Sequence, residues 1–261
     1  MSSIYKYPRT HHIAGSGLQR GDEDLRVVPF KEFAGRYLVI EEKMDGANSA
    51  VSFSAAGQLQ LQSRGHYLSG GAREQQFDLF KRWAGRYTGE LWEILGDRYV
   101  MYGEWLYAKH TVFYTDLPHY FMEFDIYDIA ETCFLSTERR RELLAGAPFV
   151  VPVKVLREGI FSSLAEITAL VGPSHFIAAN HLERLRALAE ERGLDGERVV
   201  RETEQSRLME GLYIKVEEED IVKERYKYVR GGFLQAVFAS ESHWMDRPSV
   251  PNCLEPGREL F

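Results

Sequence analysis

Cysteine, long apolar runs and an excess of positive charge are all scarce in this sequence. Cysteine occurs twice in 261 residues, at Cys133 and Cys253, with no metal-ligand spacing between them. A disulfide scaffold and a cysteine-based zinc site are therefore excluded, and a reducing cytoplasm is the expected compartment. No apolar run approaches the roughly 20 residues that cross a bilayer, and the opening from Met1 to Pro8 lacks an apolar signal core. A soluble protein with no membrane partner is expected. Lysine and arginine number 32 against 39 aspartates and glutamates, a formal net charge of −7. That balance excludes nucleic-acid binding through a bulk basic field. It leaves room for a local basic groove, with acidic clusters such as Glu217 to Asp220 on another face. Internal repeats and low-complexity segments are absent as well.

What is present is an ordinary globular composition, 44% apolar and 27% charged, enough for one sizeable core with at most a small appendage. Residues 1–26 read as an extended arm or loop, on which the adjacent His11 and His12 are solvated and carry no role. From 36 to 65 the pattern is sheet-like. Tyr37-Leu38-Val39-Ile40 and Val51-Ser52-Phe53 are beta-like runs, and residues 58–62 alternate strictly, which places Arg64 at a strand terminus. Between the first two runs stands Lys43-Met44-Asp45-Gly46. Asp-Gly in that setting predicts a hairpin turn, because glycine tolerates positive φ and aspartate bonds its own backbone. Lys43 then sits at a strand end, either as an exposed lysine or as a nucleophile; nearby cations and desolvation would ease the loss of its proton.

Residues 74–95 take helical spacing, with Phe77, Phe80, Leu91 and Leu95 as core and Gly85 separating two helices. Two aromatic strands follow, 99–107 and 120–127. They carry Glu104 and Asp125, carboxylates that need a partner or a ligand. Ser136 or Thr137 caps a helix whose Arg139, Arg140 and Arg141 read as a solvated face. Residues 163–206 form a helical block, with Leu182, Leu185 and Leu188 on one face, as an insertion or lid. Strands return at 209–216 and 223–230. In the second, Arg225 and Lys227 share one face and Tyr226 and Tyr228 the other, a cation pair suited to polyphosphate or to a protected edge. Pro248, Pro251 and Pro256 predict an irregular tail.

Taken in order, Lys43-Met44-Asp45-Gly46, Tyr102-Gly103-Glu104, Phe124-Asp125-Ile126, Glu210 to Lys215, and Arg225-Tyr226-Lys227 resemble the covalent nucleotidyltransferase superfamily of DNA ligases, RNA ligases and capping enzymes. The likeness spans residues 36–230. Asn48, where DNA ligases and capping enzymes carry arginine, resembles the RNA ligase 2 type.

The resemblance implies an α+β adenylation domain of antiparallel sheets flanking an ATP cleft. It would occupy residues 1–235, including an N-terminal arm 1–35 and the helical insertion 163–206, with 236–261 as a short tail. It implies Lys43 as the catalytic nucleophile forming lysyl-AMP. Glu42, Asn48, Arg64, Glu104, Phe124, Lys215, Arg225 and Lys227 would bind ATP. Phe124 would stack on adenine, sharing its face with Met122 and Ile126, while Lys215, Arg225 and Lys227 would neutralise phosphates and depress the Lys43 pKa. Glu210 would hold Mg²⁺ or Mn²⁺; it lies five residues from Lys215, so it is placed at a strand mouth where alternation has not begun. Arg225 departs from the family's usual lysine. The 34 residues after Lys227 (261 − 227) are too few for an OB-fold, so the grip on nucleic acid is expected to be weak, or to be supplied by a partner or by residues 163–206. The implied partners are RNA ends, including a nicked duplex, and an end-repair kinase or phosphatase. A DNA ligase, a capping-type guanylyltransferase and a non-catalytic nucleic-acid module are the alternatives.

Overall fold

The computed structural model describes residues 4–18, 21–239 and 250–261; Met1, Ser2, Ser3 and Pro248 lie outside them. Its chain order explains the architecture. Strands β1 (His11–Ile13) and β2 (Val27–Val28) come from the arm. They are followed by β3 (Tyr37–Lys43), β4 (Ala47–Phe53) and β5 (Leu59–Ser63). Helices α1 (Asp78–Arg86) and α2 (Thr88–Leu95) precede β6 (Tyr99–Trp105), β7 (Phe121–Asp128) and β8 (Cys133–Leu135). Helix α3 (Thr137–Leu143) leads to β9 (Val151–Pro152) and β10 (Val155–Ile160). Helices α4 (Leu164–Thr168), α5 (His181–Glu191) and α6 (Gly196–Arg201) come next, then β11 (Gly211–Glu218), β12 (Ile221–Val229) and α7 (Gly231–Ala239).

The strands form one sheet in the order β10-β3-β11-β12-β8-β7-β6-β4-β5, with β1 beside β12, β2 beside β1, and β9 beside β7. Pairing along that order is antiparallel throughout; β1 with β12, β1 with β2, and β7 with β9 are parallel. The expected separate antiparallel sheets are thus two limbs of one sheet, joined through the short β8. The result is a sheet-dominated α+β fold with few helices. Central strand β3 is buried from Leu38 to Glu42, which is why its apolar run does not alternate.

Each limb has its own core. Helices α1 and α2 cover the β4–β7 limb with Phe80, Trp83, Leu91 and Leu95 against Trp105, Phe121 and Ile126. Leu38, Ile40, Leu212 and Ile214 pack with Phe33, Phe161 and Ile167 on the other limb. A third cluster joins Met44, Leu106, Tyr114, Met122, Phe233 and Leu234.

Four local expectations change. The arm is not a loose extension: β1 and β2 add to the sheet because β12 offers an open edge for backbone pairing. Gly85 lies inside α1, and the helices divide at Tyr87. The tail begins as helix α7 and later forms bridges from Pro251 to Ala108 and from Leu254 to Leu117. Arg140 is buried rather than solvated, because two buried carboxylates, Glu41 and Glu123, face it at 2.9 and 2.8 Å. Ser136 caps α3 by accepting from the Arg139 N–H. Within 163–206 the regular structure is α4, α5 and α6, and Leu185 is buried against Phe113.

Candidate active site

Between the two limbs opens a cleft of about 940 Å³ lined by Lys43, Asn48, Arg64, Glu104, Phe124, Glu210 and Lys227, with Glu42 beside them. The chain crosses from one limb to the other at Met44-Asp45-Gly46. Strand β3 pairs with β10 and β11, β4 pairs with β5 and β6, and β3 and β4 do not pair with each other. The Asp-Gly step is therefore a crossover, not the expected hairpin. Gly46 does not have positive φ; it is needed because a Cβ there would lie 2.7 Å from the Trp105 carbonyl oxygen. Asp45 does not fold onto its own backbone either. Its Oδ2 accepts from the N–H groups of Thr111 and Val112 at 2.7 Å each, and its own N–H donates to the Tyr114 hydroxyl. Asp45 thereby clamps the 106–120 segment onto the turn.

Lys43 ends β3 opposite Gly211. A Cβ at 211 would come within 1.8 Å of the Tyr228 carbonyl oxygen, so glycine permits the close strand approach that brings Glu210 in. As expected, Glu210 precedes the strand, so the alternation that would turn it away from the cleft has not begun. Its carboxylate oxygens both lie 2.8 Å from Lys43 Nζ. Glu104, paired in register with Asn48, accepts from the Gly46 N–H at 3.1 Å.

Burial pushes the carboxyls of Glu104 and Glu210 up to about 7. Burial also pulls the Lys43 pKa down, but Glu210 and Glu104 outweigh it and hold the ammonium above its ordinary value. The Lys43 charge offsets only part of the burial cost of the two carboxyls, so they stay raised while they in turn hold its proton. The expectation that cations depress the Lys43 pKa is corrected: its nearest charged neighbours are acidic.

Two expected ATP contacts do not reach the cleft. Lys215 is fully buried, 2.9 Å from Glu41 and 3.1 Å from Asp125. The reason is a β-bulge. Gly103 pairs with Glu123 and Tyr102 with Asp125, which leaves Phe124 unpaired between them. The carbonyl freed there accepts from both Lys215 and Arg140. Arg225 lies over the Phe134 ring, 3.7 Å from its centroid, and beside Tyr7, a cation–π seat outside the cleft. The bulge also separates Phe124 and Met122 from Ile126, which packs in the helix-covered core on the opposite face.

Glu42 lines the cleft, yet its carboxylate is taken by the Ser174 hydroxyl and by His175 Nδ1 at 3.1 Å. Arg64 is exposed at the rim. Among the described residues, no group of three His, Cys, Asp or Glu side chains is placed to hold a metal.

Several residues of the site carry no local sequence signal. The Tyr7 hydroxyl bonds Asp125 and Tyr213, and its ring meets Phe124 edge-on at 5.2 Å. Lys227 Nζ is held by Asp22 at 2.8 Å, and Asp22 by His12 at 3.0 Å. His12 is completely buried, contrary to the solvated role read from the arm. Its partners lie four, ten and more than 200 positions away, beyond any periodic pattern.

A protein-family model described as RNA ligase matches residues 36–229. Among solved structures the chain is similar to an RNA ligase of Naegleria gruberi. A mutant of that enzyme solved with ATP and manganese is 19% identical, with a TM-score of 0.51 and coverage of 78% of this chain and 53% of that one. A mutant solved with AMP and manganese is 17% identical, with a TM-score of 0.52 and the same coverage. The chain thus spans about half the length of the solved ligase it matches. No curated protein matches it.

Proposed function

The chain belongs to the RNA ligase family, and from that premise we propose that it is an ATP-dependent RNA ligase. In this reading Lys43 Nζ attacks the α-phosphate of ATP. The bond to pyrophosphate breaks and a lysyl-AMP phosphoramide forms. AMP then passes to an RNA 5′-phosphate, and a 3′-hydroxyl attacks that activated end with loss of AMP. The observation that carries the reading is the placement of Lys43 in the cleft against Glu210, with Glu104 and Lys227 arriving on other strands.

The residues divide the work by position. Phe124, oriented by the edge of Tyr7, offers an apolar face of the kind a purine stacks on. Asn48 and Glu104 share a register position where they would order the ribose and α-phosphate, with Arg64 at the rim. Lys227 would contact phosphate. Lys215 and Arg225 act from below, by holding the Phe124 bulge and the Tyr7–Phe134 wall. Lys43 must shed a proton that Glu210 and Glu104 now help it keep. These two hard carboxylates fit Mg²⁺ or Mn²⁺, which bind through one or two carboxylates and retain water, so two protein ligands suffice where the described residues hold no three-ligand cluster. A cation bound there supplies charge that competes with the ammonium for the carboxylates and screens the phosphates.

RNA ends, alone or in a nicked duplex, are the proposed polymer substrate. A kinase or phosphatase would supply 5′-phosphate and 3′-hydroxyl termini where breaks lack them, and the cytoplasm is the proposed compartment. The test is incubation with ATP labelled at the α-phosphate plus Mg²⁺ or Mn²⁺. A covalent label that forms in the wild type and disappears in Lys43→Ala is expected; an unlabelled wild type sinks the reading. Sealing of nicked substrates with RNA or DNA at the 3′-hydroxyl side then separates RNA from DNA ligation.

A further inference from the structure

The N-terminal arm precedes the family match, which begins at residue 36, yet it builds one wall of the cleft with Tyr7, Arg9, Thr10 and Leu25. Strand β1 runs parallel to β12, with His12 opposite Lys227. From that register a hydrogen-bond chain leaves β12 and returns to it. The Val229 N–H donates to Ser16 Oγ at 2.9 Å. An ionised Asp22 can only accept, so His12 Nε2 carries the proton and donates to Asp22 Oδ2 at 3.0 Å, which leaves Nδ1 to accept from the Ser16 hydroxyl at 2.7 Å. Lys227 Nζ donates to the same Oδ2 at 2.8 Å, and Arg9 approaches Oδ1 at 3.3 Å.

The protonation states agree with that direction. Burial pushes the His12 imidazole pKa down, so the ring is neutral and has one donor nitrogen. Burial pushes the Asp22 carboxyl up, but hydrogen bonds from Lys227 and His12 outweigh it and keep the group ionised below the usual range. An ammonium has three N–H donors. One is committed to Asp22, its one hydrogen-bond partner among the described residues, and Lys227 still lines the cleft, which leaves two for a ligand.

We propose that Asp22, oriented by His12, is a positioning residue that holds the Lys227 ammonium ready for a phosphate of ATP. The inference rests on the proposed role of Lys227 as a phosphate contact. It gives the arm a task that the motifs alone do not contain: Asp22 orients a phosphate-binding lysine much as a buried carboxylate orients a catalytic histidine. A rival arrangement has the same geometry and the opposite consequence. There Asp22 is an internal anion sitting where phosphate belongs, and ATP must displace it.

The two are separated by a double-mutant cycle on the full chain. Asp22→Ala, Asp22→Asn and His12→Gln are compared in the wild-type and Lys227→Met backgrounds, with two readouts: single-turnover lysyl-AMP formation and calorimetric ATP binding. Thermal denaturation checks that each variant is folded. Positioning predicts that Asp22→Ala slows lysyl-AMP formation about tenfold, the worth of one charge-assisted hydrogen bond. Asp22→Asn, which keeps an acceptor oxygen, recovers part of that loss, and His12→Gln falls between. None of the three lowers activity or binding further in the Lys227→Met background, because the residues act through that lysine. Tighter ATP binding or faster adenylation in Asp22→Ala would establish the internal anion and overturn the proposal. Losses that simply add to that of Lys227→Met would reduce Asp22 to docking the arm and overturn it too. A wild type that binds ATP without labelling would defeat the ligase reading instead, while the binding cycle still decides the role of Asp22.

Discussion

Two lysines on neighbouring strands of one sheet meet opposite electrostatic fates. Lys215 lies beneath the cleft floor, where it and Arg140 pair with Glu41, Glu123 and Asp125 at 2.8 to 3.1 Å, and Arg225 adds the third positive charge beside Asp125. Lys43, two positions beyond Glu41 along β3, therefore projects from the same face, but its charged neighbours are Glu210, Glu104 and Asp45. Below, buried cations and carboxylates close on one another and on the carbonyl that the Phe124 bulge frees. Above, buried Glu210 pairs with the Lys43 ammonium, and the half-buried Glu104 and Asp45 add further negative charge. Charges enclosed without water persist only when matched, so the floor reads as structure. The cleft is left unbalanced toward negative charge, a state that a bound cation would relieve.

The comparison breaks most completely at Lys43. Lys43→Ala is expected to abolish the covalent AMP label while the protein melts close to the wild-type temperature. A label that survives would remove the nucleophile from the cleft. The converse holds below: Lys215→Met or Arg140→Met strands buried carboxylates and should cost about 3–5 kcal/mol of stability, read as a large fall in the denaturation midpoint. A mild effect there would mean that the floor is not the closed network described.

Phe124 belongs to both regions, with its carbonyl held by the floor and its ring in the cleft. Phe124→Ala should weaken ATP binding by about 1–3 kcal/mol, the range for base stacking on an aromatic ring, as measured by calorimetry. The smallest effect concerns Glu104. Its folded carboxyl is raised from 4.5 to about 7, so its ionisation opposes folding as pH rises through about 7, and the cost vanishes below about 4.5. Glu104→Gln should therefore stabilise the fold by about 1 kcal/mol above neutrality, discounted because Lys43 loses one of its partners, and leave it unchanged in acid, while adenylation falls. Denaturation midpoints across pH check the sign, and lower stability above neutrality would show that Glu104 is part of the matched floor.

What the sequence determined was the set of local patterns: the strands carrying Lys43, Glu104 and Lys227, the strand that Glu210 precedes, the helices from 78 to 95, the Ser136 cap, and the order of motifs that resembles the ligase superfamily. These are legible because alternation, helical spacing and capping act over a few residues. Which charge faces water and which is enclosed was decided elsewhere. One unpaired residue at Phe124 resets the faces of β7, so that Ile126 turns to the helices and the freed carbonyl draws Lys215 and Arg140 beneath the floor. Asp45 meets Thr111 and Val112, Tyr7 meets Asp125, and Asp22 meets Lys227 across 66 to 205 positions. Contacts so distant in sequence have no period to be read from. Only the paired strands bring them together, and their desolvation then sets which lysine is enclosed in the floor and which lines the cleft.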